Sequence, residues 1–410
     1  MKKFVSAYLI IMIILCSGCK KEISAFSPGE SVTPDLFSEI TALPETGTPE
    51  TDAPVTDTPE STPEVTPAPT PKPTQKSAPA PTPYDSNTRP ISKDSTVVLS
   101  AKYGYYEMMS DVNMLLEKYP QYLSREYLGT SEFGREIPII IMGKKDNPKK
   151  ILIVASSHAR EYANSAIIMK TIENYCENMK TASFDGVNYI DLIEQTSIWF
   201  VPMHNPDGVE ISINGLNSVP DSYKNTVRDI FNRSVKKKYL SSGSYTNWKA
   251  NGLGYDLNRD YGIGGKEKTK EYTPMSENFG GDFQSKEGRL IAGLIREKDF
   301  LTVTSYHSCG NIIYWGFYAT GEFKEQCRSM AEAIKSLNGY RLVEDTQKSE
   351  KDYAYLGLKD WFMKEYKRPG FTIETGGGSA PISLSELKKA YNKNVQIPAL
   401  LLHYEYKSEQ

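Results

Sequence analysis

The chain is poor in the residues that most often staple a fold or build a site. Its 410 residues include five cysteines, four histidines and four tryptophans. Cys16 and Cys19 lie near the N-terminus, which leaves Cys176, Cys309 and Cys327 for everything else. So odd and sparse a set excludes a disulfide framework, and the core must hold the fold. A Cys309–Cys327 bridge stays open, but nothing in the sequence demands it. A surplus of either charge is missing too. Lys and Arg total 48 against 51 Asp and Glu, a net charge of −3. That balance excludes the basic field with which proteins recruit nucleic acid.

The first residues read as an export signal. Lys2-Lys3 precede an apolar run from Phe4 to Leu15, and small residues follow in Cys16-Ser17-Gly18-Cys19. The run is shorter than the roughly 20 residues of a membrane-spanning helix. Ser17-Gly18-Cys19 resembles the end of a bacterial lipobox, whose cysteine becomes the lipidated N-terminus. Cys16 departs from that pattern, where Leu is more usual. The expectation is a lipoprotein-type signal over residues 1–19 with Cys19 lipidated; the alternative is a plain secretory signal. Residues 20–95 show no periodicity. Fifteen of the 25 prolines lie between Pro28 and Pro90, interleaved with Thr, Glu, Ser and Ala. Such a segment cannot bury enough apolar surface to fold and reads as a disordered linker. At about 3.1 Å per residue it reaches on the order of 200 Å.

Residues 96–410 form one folding unit, a single domain of roughly 310 residues, which suits a large α/β enzyme. Tyr105–Tyr119 carries apolar residues at helical spacing, and Arg125–Met142 reads as two strands around Gly134-Arg135. Ile151–Ala155 (ILIVA) is an unbroken apolar run, as expected of a strand buried on both faces. Ser197–Met203 and Leu301–Tyr306 repeat that pattern, and Pro369–Glu374 is a fourth such strand. Asn311–Phe317 reads as a further strand and Phe323–Leu337 as a helix. Leu384–Tyr404 reads as a closing helix, with Pro398 as a kink or break. Asn205-Pro206-Asp207-Gly208 is turn chemistry, and Pro220–Gly254 is polar with no clear period. Strands alternating with helices predict an α/β sheet covered on both faces.

Residues of metal-binding or acidic type stand where three of these buried strands end. His158 and Glu161 follow the first, His307 follows Tyr306, and Glu374 ends PGFTIE. Open α/β sheets place ligands at the carboxyl ends of their strands. Neutral His and ionised Glu are good zinc ligands, and a catalytic zinc site uses three protein ligands plus an open position. His-x-x-Glu alone is a weak signal, because a locally bonded His and an exposed Glu would look the same. Its recurrence at strand ends carries the argument.

Taken together, His158-Ala159-Arg160-Glu161, Asp256-Leu257-Asn258-Arg259, His307 and Thr372-Ile373-Glu374 resemble the zinc metallocarboxypeptidases, the carboxypeptidase A superfamily. The likeness runs from about Tyr105 to Tyr404. It implies a mixed, roughly eight-stranded sheet between helices, and one Zn2+ per chain held by His158, Glu161 and His307. It implies Glu374 as general base, Asp256 as the carboxylate that orients the first zinc His, and Asn258 with Arg259 as a clamp on a substrate carboxylate. Arg160 resembles a secondary substrate contact. Lys249 stands where the family commonly has an Arg that polarises the scissile carbonyl; otherwise it is a surface lysine. Tyr353, ahead of Tyr355, matches the family's mobile Tyr. Lys359 matches the position at the foot of the pocket that selects the residue after the cut; otherwise it faces solvent.

The motifs Trp248-Lys249-Ala250-Asn251, Asn205–Glu210 with Ile213-Asn214-Gly215, Ser305–Gly310 and Pro369–Gly376 look like bacterial γ-D-glutamyl-diaminopimelate peptidases. The implied partner is a peptide, the stem peptide of peptidoglycan. The signal and tether place such an enzyme on the outer face of a bacterial membrane through a lipid anchor, as a monomer. The alternatives are an ordinary carboxypeptidase and a non-catalytic wall-binding protein. Gly262-Ile263-Gly264-Gly265-Lys266 lacks the spacing and preceding strand of a phosphate loop. His204 and His403 have no ligand partner at metal spacing and read as structural, and Cys309 reads as a small filler.

Overall fold

Period-two alternation inside continuous apolar runs builds the sheet. In β3 (Lys149–Ala155), Ile151, Ile153 and Ala155 face one hydrophobic cluster while Leu152 and Val154 face the other. In β6 (Thr196–Val201), Ile198 and Phe200 divide in the same way from Trp199 and Val201. A strand with two buried faces has no polar side to show, so its sequence reads as one apolar run.

The computed structural model describes residues 95–238, 240–263, 283–344 and 356–407. The expected signal and almost all of the linker, with Cys19, fall outside them, as do Tyr353 and Tyr355. Helix α1 (Tyr105–Lys118) precedes the hairpin β1 (Leu123–Thr130) and β2 (Glu136–Met142). After β3 come α2 (Ala163–Asn178), the small hairpin β4 (Ser183–Phe184) and β5 (Val187–Asn188), α3 (Tyr189–Gln195) and β6. Then follow α4 (Pro206–Asn214), α5 (Asp221–Lys236), α6 (Lys286–Lys298), β7 (Thr302–His307), β8 (Ile312–Tyr314), α7 (Gly321–Asn338) and β9 (Arg341–Val343). The chain continues through α8 (Leu358–Tyr366), β10 (Gly370–Glu374), α9 (Leu384–Asn394) and α10 (Ile397–Lys407).

The main sheet has eight strands in the order β1-β2-β6-β3-β7-β10-β8-β9. β6, β3, β7 and β10 run parallel, while β1–β2, β2–β6 and β10–β8 pair antiparallel. Residues of α1, α2, α3, α7, α9 and α10 pack on one face, and residues of α6 and α8 on the other. This is the mixed α/β sheet expected from the sequence. From β3 the chain passes to β6 on one side and later to β7 on the other. The crevice at the carboxyl ends of β3 and β7 is therefore a topological switch point, where open sheets bind ligands.

Three local readings change. Asn205-Pro206-Asp207-Gly208 is a helix start: Asn205 Oδ1 accepts from the Gly208 N–H at 3.0 Å and Pro206 opens α4. Asn caps and first-position prolines use the same chemistry as turns, so the two look alike in sequence. The polar stretch after Pro220 contains α5, whose buried apolar residues are only Val227, Ile230 and Phe231, with Tyr223 and Val235 partly buried beside them. The closing helix is two, α9 and α10, and Pro398 sits in the first turn of α10, where proline is tolerated. Cys309 and Cys327 are separate thiols.

One buried carboxyl makes stability depend on pH. Glu287 of α6 is fully buried; its Oε2 accepts from Asn251 Nδ2 at 2.9 Å and its Oε1 from the Glu132 N–H at 3.2 Å. Burial, with the charge of Asp207 second, pushes it up from 4.5 to about 8. Between those values the folded chain keeps a proton that the unfolded chain has released, so stability falls as pH rises through this window. Glu287→Gln should flatten the thermal midpoint between pH 5 and 8, with a relative gain at pH 8 on the order of a few kcal/mol. Parallel profiles for the two proteins would refute a neutral Glu287.

Candidate metal centre and active site

The chain leaves β3 through Ser156, whose φ of 54° is left-handed. A single 3-10 turn, Ala159–Glu161, then brings Glu161 back to His158. Glu161 Oε1 lies 2.9 Å from His158 Nδ1, and Oε2 lies 3.0 Å from His307 Nδ1. The two Nδ1 atoms are 3.1 Å apart. His307 reaches this point because it is the last residue of β7, the parallel neighbour of β3. All three side chains are buried.

The outer nitrogens fix which atoms face inward. His158 Nε2 is 3.0 Å from Asp256 Oδ1, and His307 Nε2 is 3.0 Å from Ser305 Oγ. Partners of this kind set tautomer and ring orientation in metal sites. The donor set fits a zinc ion. Ligand atoms at about 2.0–2.1 Å in a tetrahedron lie about 3.3 Å from one another, close to the separations here. The three groups each offer one ligand atom, all within 4.8 Å of one another.

Electrostatics divide three carboxyls. Burial would push Glu161 up, but the two imidazoles, His158 first, outweigh it and hold the carboxyl below its usual range. Asp256 is likewise fully buried and held low, by Lys249 and then His158. Glu374 is the last residue of β10 and registers with His307 of β7. Burial, reinforced by Glu161, pushes it up to about 7 against the opposing pull of His307, Lys249 and Arg259.

The other residues singled out from sequence fall around this centre. Lys249 Nζ bonds Asp256 Oδ2 at 2.8 Å, and its carbonyl accepts from the Ala159 N–H at 2.8 Å. Asn205 Nδ2 donates to the carbonyls of Ser157 and Ala250 at 3.0 and 3.1 Å, clamping this loop to the end of β3. Asp256 Oδ1 accepts from the Asn258 N–H at 3.0 Å, and Arg259 Nη1 donates to the Asn258 carbonyl at 2.6 Å. Asn258 Oδ1 in turn accepts from the Leu358 N–H at 3.1 Å, tying this segment to the start of α8. Arg160 is half-buried in the 3-10 turn. Lys359 is buried in the first turn of α8, bonded to Asp360 Oδ1 at 2.5 Å with its ammonium 5.9 Å from the Phe317 ring. It neither faces solvent nor stands as the unpaired cation that a bare selectivity pocket would hold. Tyr353 lies outside the described residues. His204 is structural: it bridges Ser157 Oγ and the Glu287 carbonyl, and burial pushes it down to about 4.

Sequence reasoning missed Ser305, Asn164, Ser308 and Thr375. Ser305 had a signal, because it precedes His307 by two residues and so shares its strand face. Ser308 and Thr375 lie within the motifs Ser305–Gly310 and Pro369–Gly376, directly after His307 and Glu374, whereas Asn164 had no signal.

A buried His-Glu-His set able to hold a metal ion thus stands at the switch point, with Glu374 in register beside it, the arrangement of a metal-dependent enzyme. The chain belongs to the zinc carboxypeptidase family, whose model matches residues 108–397. It is a zinc metallopeptidase. A Lysinibacillus sphaericus protein named gamma-D-glutamyl-L-diamino acid endopeptidase 1 is 31% identical over 304 residues, covering 72% of this chain and 71% of its own. YqgT of Bacillus subtilis (strain 168), described as uncharacterized, is 29% identical over 306 residues, covering 73% and 77%. The fold also matches the crystal structure of carboxypeptidase A from Helicoverpa armigera, with a TM-score of 0.54 at 16% identity over 76% of this chain and 77% of that one.

Replacing a ligand should empty the site without unfolding the sheet, since the apolar strands pack independently of it. His307→Ala should lose zinc by elemental analysis while keeping the far-ultraviolet dichroism of the wild type. A full complement of zinc in this variant would contradict the assignment of His307.

Proposed function

We propose that this chain hydrolyses γ-D-glutamyl–diamino acid bonds in peptidoglycan stem peptides, with one zinc per chain held by His158, Glu161 and His307. The observation that carries the chemistry is the place of Glu374, which ends β10 in register with His307 of that ligand set, where burial pushes its carboxyl up. A base poised near the working pH takes and returns a proton most effectively. The substrate reading is supported by the printed name of the 31%-identical relative.

A zinc ion at this site supplies Lewis acidity and brings the pKa of a water to about 7. Glu374 takes the proton of the attacking water and returns it to the leaving amine. Lys249 places its cation beside the scissile carbonyl and favours negative charge developing there. Its bond to Asp256 holds it at the site, though it lacks the planar fork of arginine. Asn258 and Arg259 clamp a substrate carboxylate, for which the guanidinium is well shaped, and Arg160 adds a contact. Asp256 keeps His158 turned with Nδ1 inward. Lys359, with Asp360 beside it, faces a substrate carboxylate as one half of a buried pair. Tyr353, outside the described residues, is kept as a candidate catalytic residue by its resemblance to the family's mobile Tyr. In this reading the chain is an exported monomer, tethered through residues 20–95 to a lipid on Cys19 at the outer face of the membrane.

The test pairs two substrates with one variant. Wild type should cleave a γ-D-glutamyl-meso-diaminopimelate peptide and act poorly on a peptide ending in Phe or Leu. Glu374→Gln should keep its zinc and lose about 10²–10⁴-fold in turnover on the former. Preference for the Phe- or Leu-terminated peptide would make the chain an ordinary carboxypeptidase. Near-normal turnover by zinc-loaded Glu374→Gln would remove Glu374 as the base.

A further inference from the structure

Three buried side chains beside the candidate ligands close a ring of hydrogen bonds. Asn164 lies in the first turn of α2, three residues after Glu161; Ser308 follows His307; Thr375 follows Glu374. Asn164 Nδ2 donates to Ser308 Oγ at 3.1 Å. Ser308 Oγ lies 3.0 Å from Thr375 Oγ1, and Thr375 Oγ1 donates to Asn164 Oδ1 at 2.7 Å. All three residues are buried.

With the Asn164 amide oriented so that Nδ2 meets Ser308, the proton directions follow from counting. A hydroxyl has one proton to donate. Thr375 Oγ1 is also 3.1 Å from the His307 carbonyl, but the shorter contact makes Asn164 Oδ1 its acceptor. Ser308 must then donate to Thr375 while accepting from the Asn164 amide. Each residue donates once and accepts once, all in one sense, and such chains polarise their members cooperatively. With the Asn164 amide reversed, both hydroxyls turn and the ring runs in the opposite sense, again with one donation and one acceptance per residue.

Each corner is covalently next to a different functional segment. The backbone reinforces the arrangement. The Ser308 N–H donates to Glu161 Oε2 at 3.1 Å, the Thr375 N–H to the His307 carbonyl at 2.7 Å, and the Gly310 N–H to the Gly376 carbonyl at 2.7 Å. The parallel pairing of β7 with β10 thus continues past both strand ends, and the ring ties it across to α2.

We propose that Asn164, Ser308 and Thr375 act as one positioning unit, setting the place of Glu374 relative to the His158–Glu161–His307 site; this rests on the reading of Glu374 as base. Members of one hydrogen-bond network couple, so their losses overlap, whereas independent contacts add.

The experiment is a double-mutant cycle on the full chain with Asn164→Ala and Thr375→Val, plus Thr375→Ser as the conservative rescue. It reads kcat and KM on the γ-D-glutamyl-meso-diaminopimelate peptide, zinc release to a competing chelator, and the thermal midpoint of the zinc-free protein. Each single variant should lose about 10–100-fold in kcat or zinc affinity, with KM within about threefold of wild type. The double variant should be no worse than the worse single, and Thr375→Ser should restore most of the loss. Losses that multiply in the double variant, or a zinc-loaded Thr375→Val with unchanged kcat and unchanged zinc release, would overturn the proposal. Should Thr375→Val not fold, Ser308→Ala takes its place in the cycle. The zinc-release and thermal arms do not depend on the base. A fully active Glu374→Gln would therefore sink that reading and leave the coupling measurable.

Discussion

Two imidazole nitrogens 3.1 Å apart, with one carboxylate reaching both, make a convergence that only a proton or a cation can stabilise. Lone pairs aimed at one point repel, and burial denies them the water that would screen the repulsion. Everything near the site serves to hold them there. His158 and His307 stand at the ends of two adjacent parallel strands, whose spacing of about 4.8 Å sets how far apart the rings begin. Asp256 and Ser305 hold the outer nitrogens, so neither ring is free to turn its other face inward.

The same convergence sorts the neighbouring acids. Glu161 and Asp256 are held low because imidazoles and a lysine lie against them, while burial, with the field of Glu161 added, pushes Glu374 up. Pairs of carboxyls driven apart by their surroundings are how one site runs acid and base chemistry. Lys249 belongs to this balance through Asp256, which makes its loop part of the metal site's support. Asn205 and Glu287 extend that support outward, one clamping the loop to β3 and the other bonding Asn251 behind it.

What could be read from sequence was whatever depends on continuous burial. The central strands announced themselves because both of their faces are covered, and their ends placed His158, His307 and Glu374. The segment from Asp256 to Arg259 came from likeness to a family, since a 3-10 turn leaves no period. Helices α4 and α5 were illegible for opposite reasons. One begins with turn residues, and the other shows water a polar face with only three buried apolar residues. The pairing of Lys359 with Asp360 could not be foreseen, because adjacent residues in a helix seldom face each other. Hydrogen bonds among Asn164, Ser308 and Thr375 join positions far apart in the chain and carry no local pattern.

The central claim is that two Nδ1 atoms and one carboxylate hold zinc at the switch point. Zinc K-edge absorption on the purified chain tests it directly. The account predicts a first shell of nitrogen and oxygen at about 2.0–2.2 Å, with imidazole outer-shell scattering and no sulfur. A thiolate at about 2.3 Å, which would bring Cys309 or another cysteine onto the metal, would contradict it.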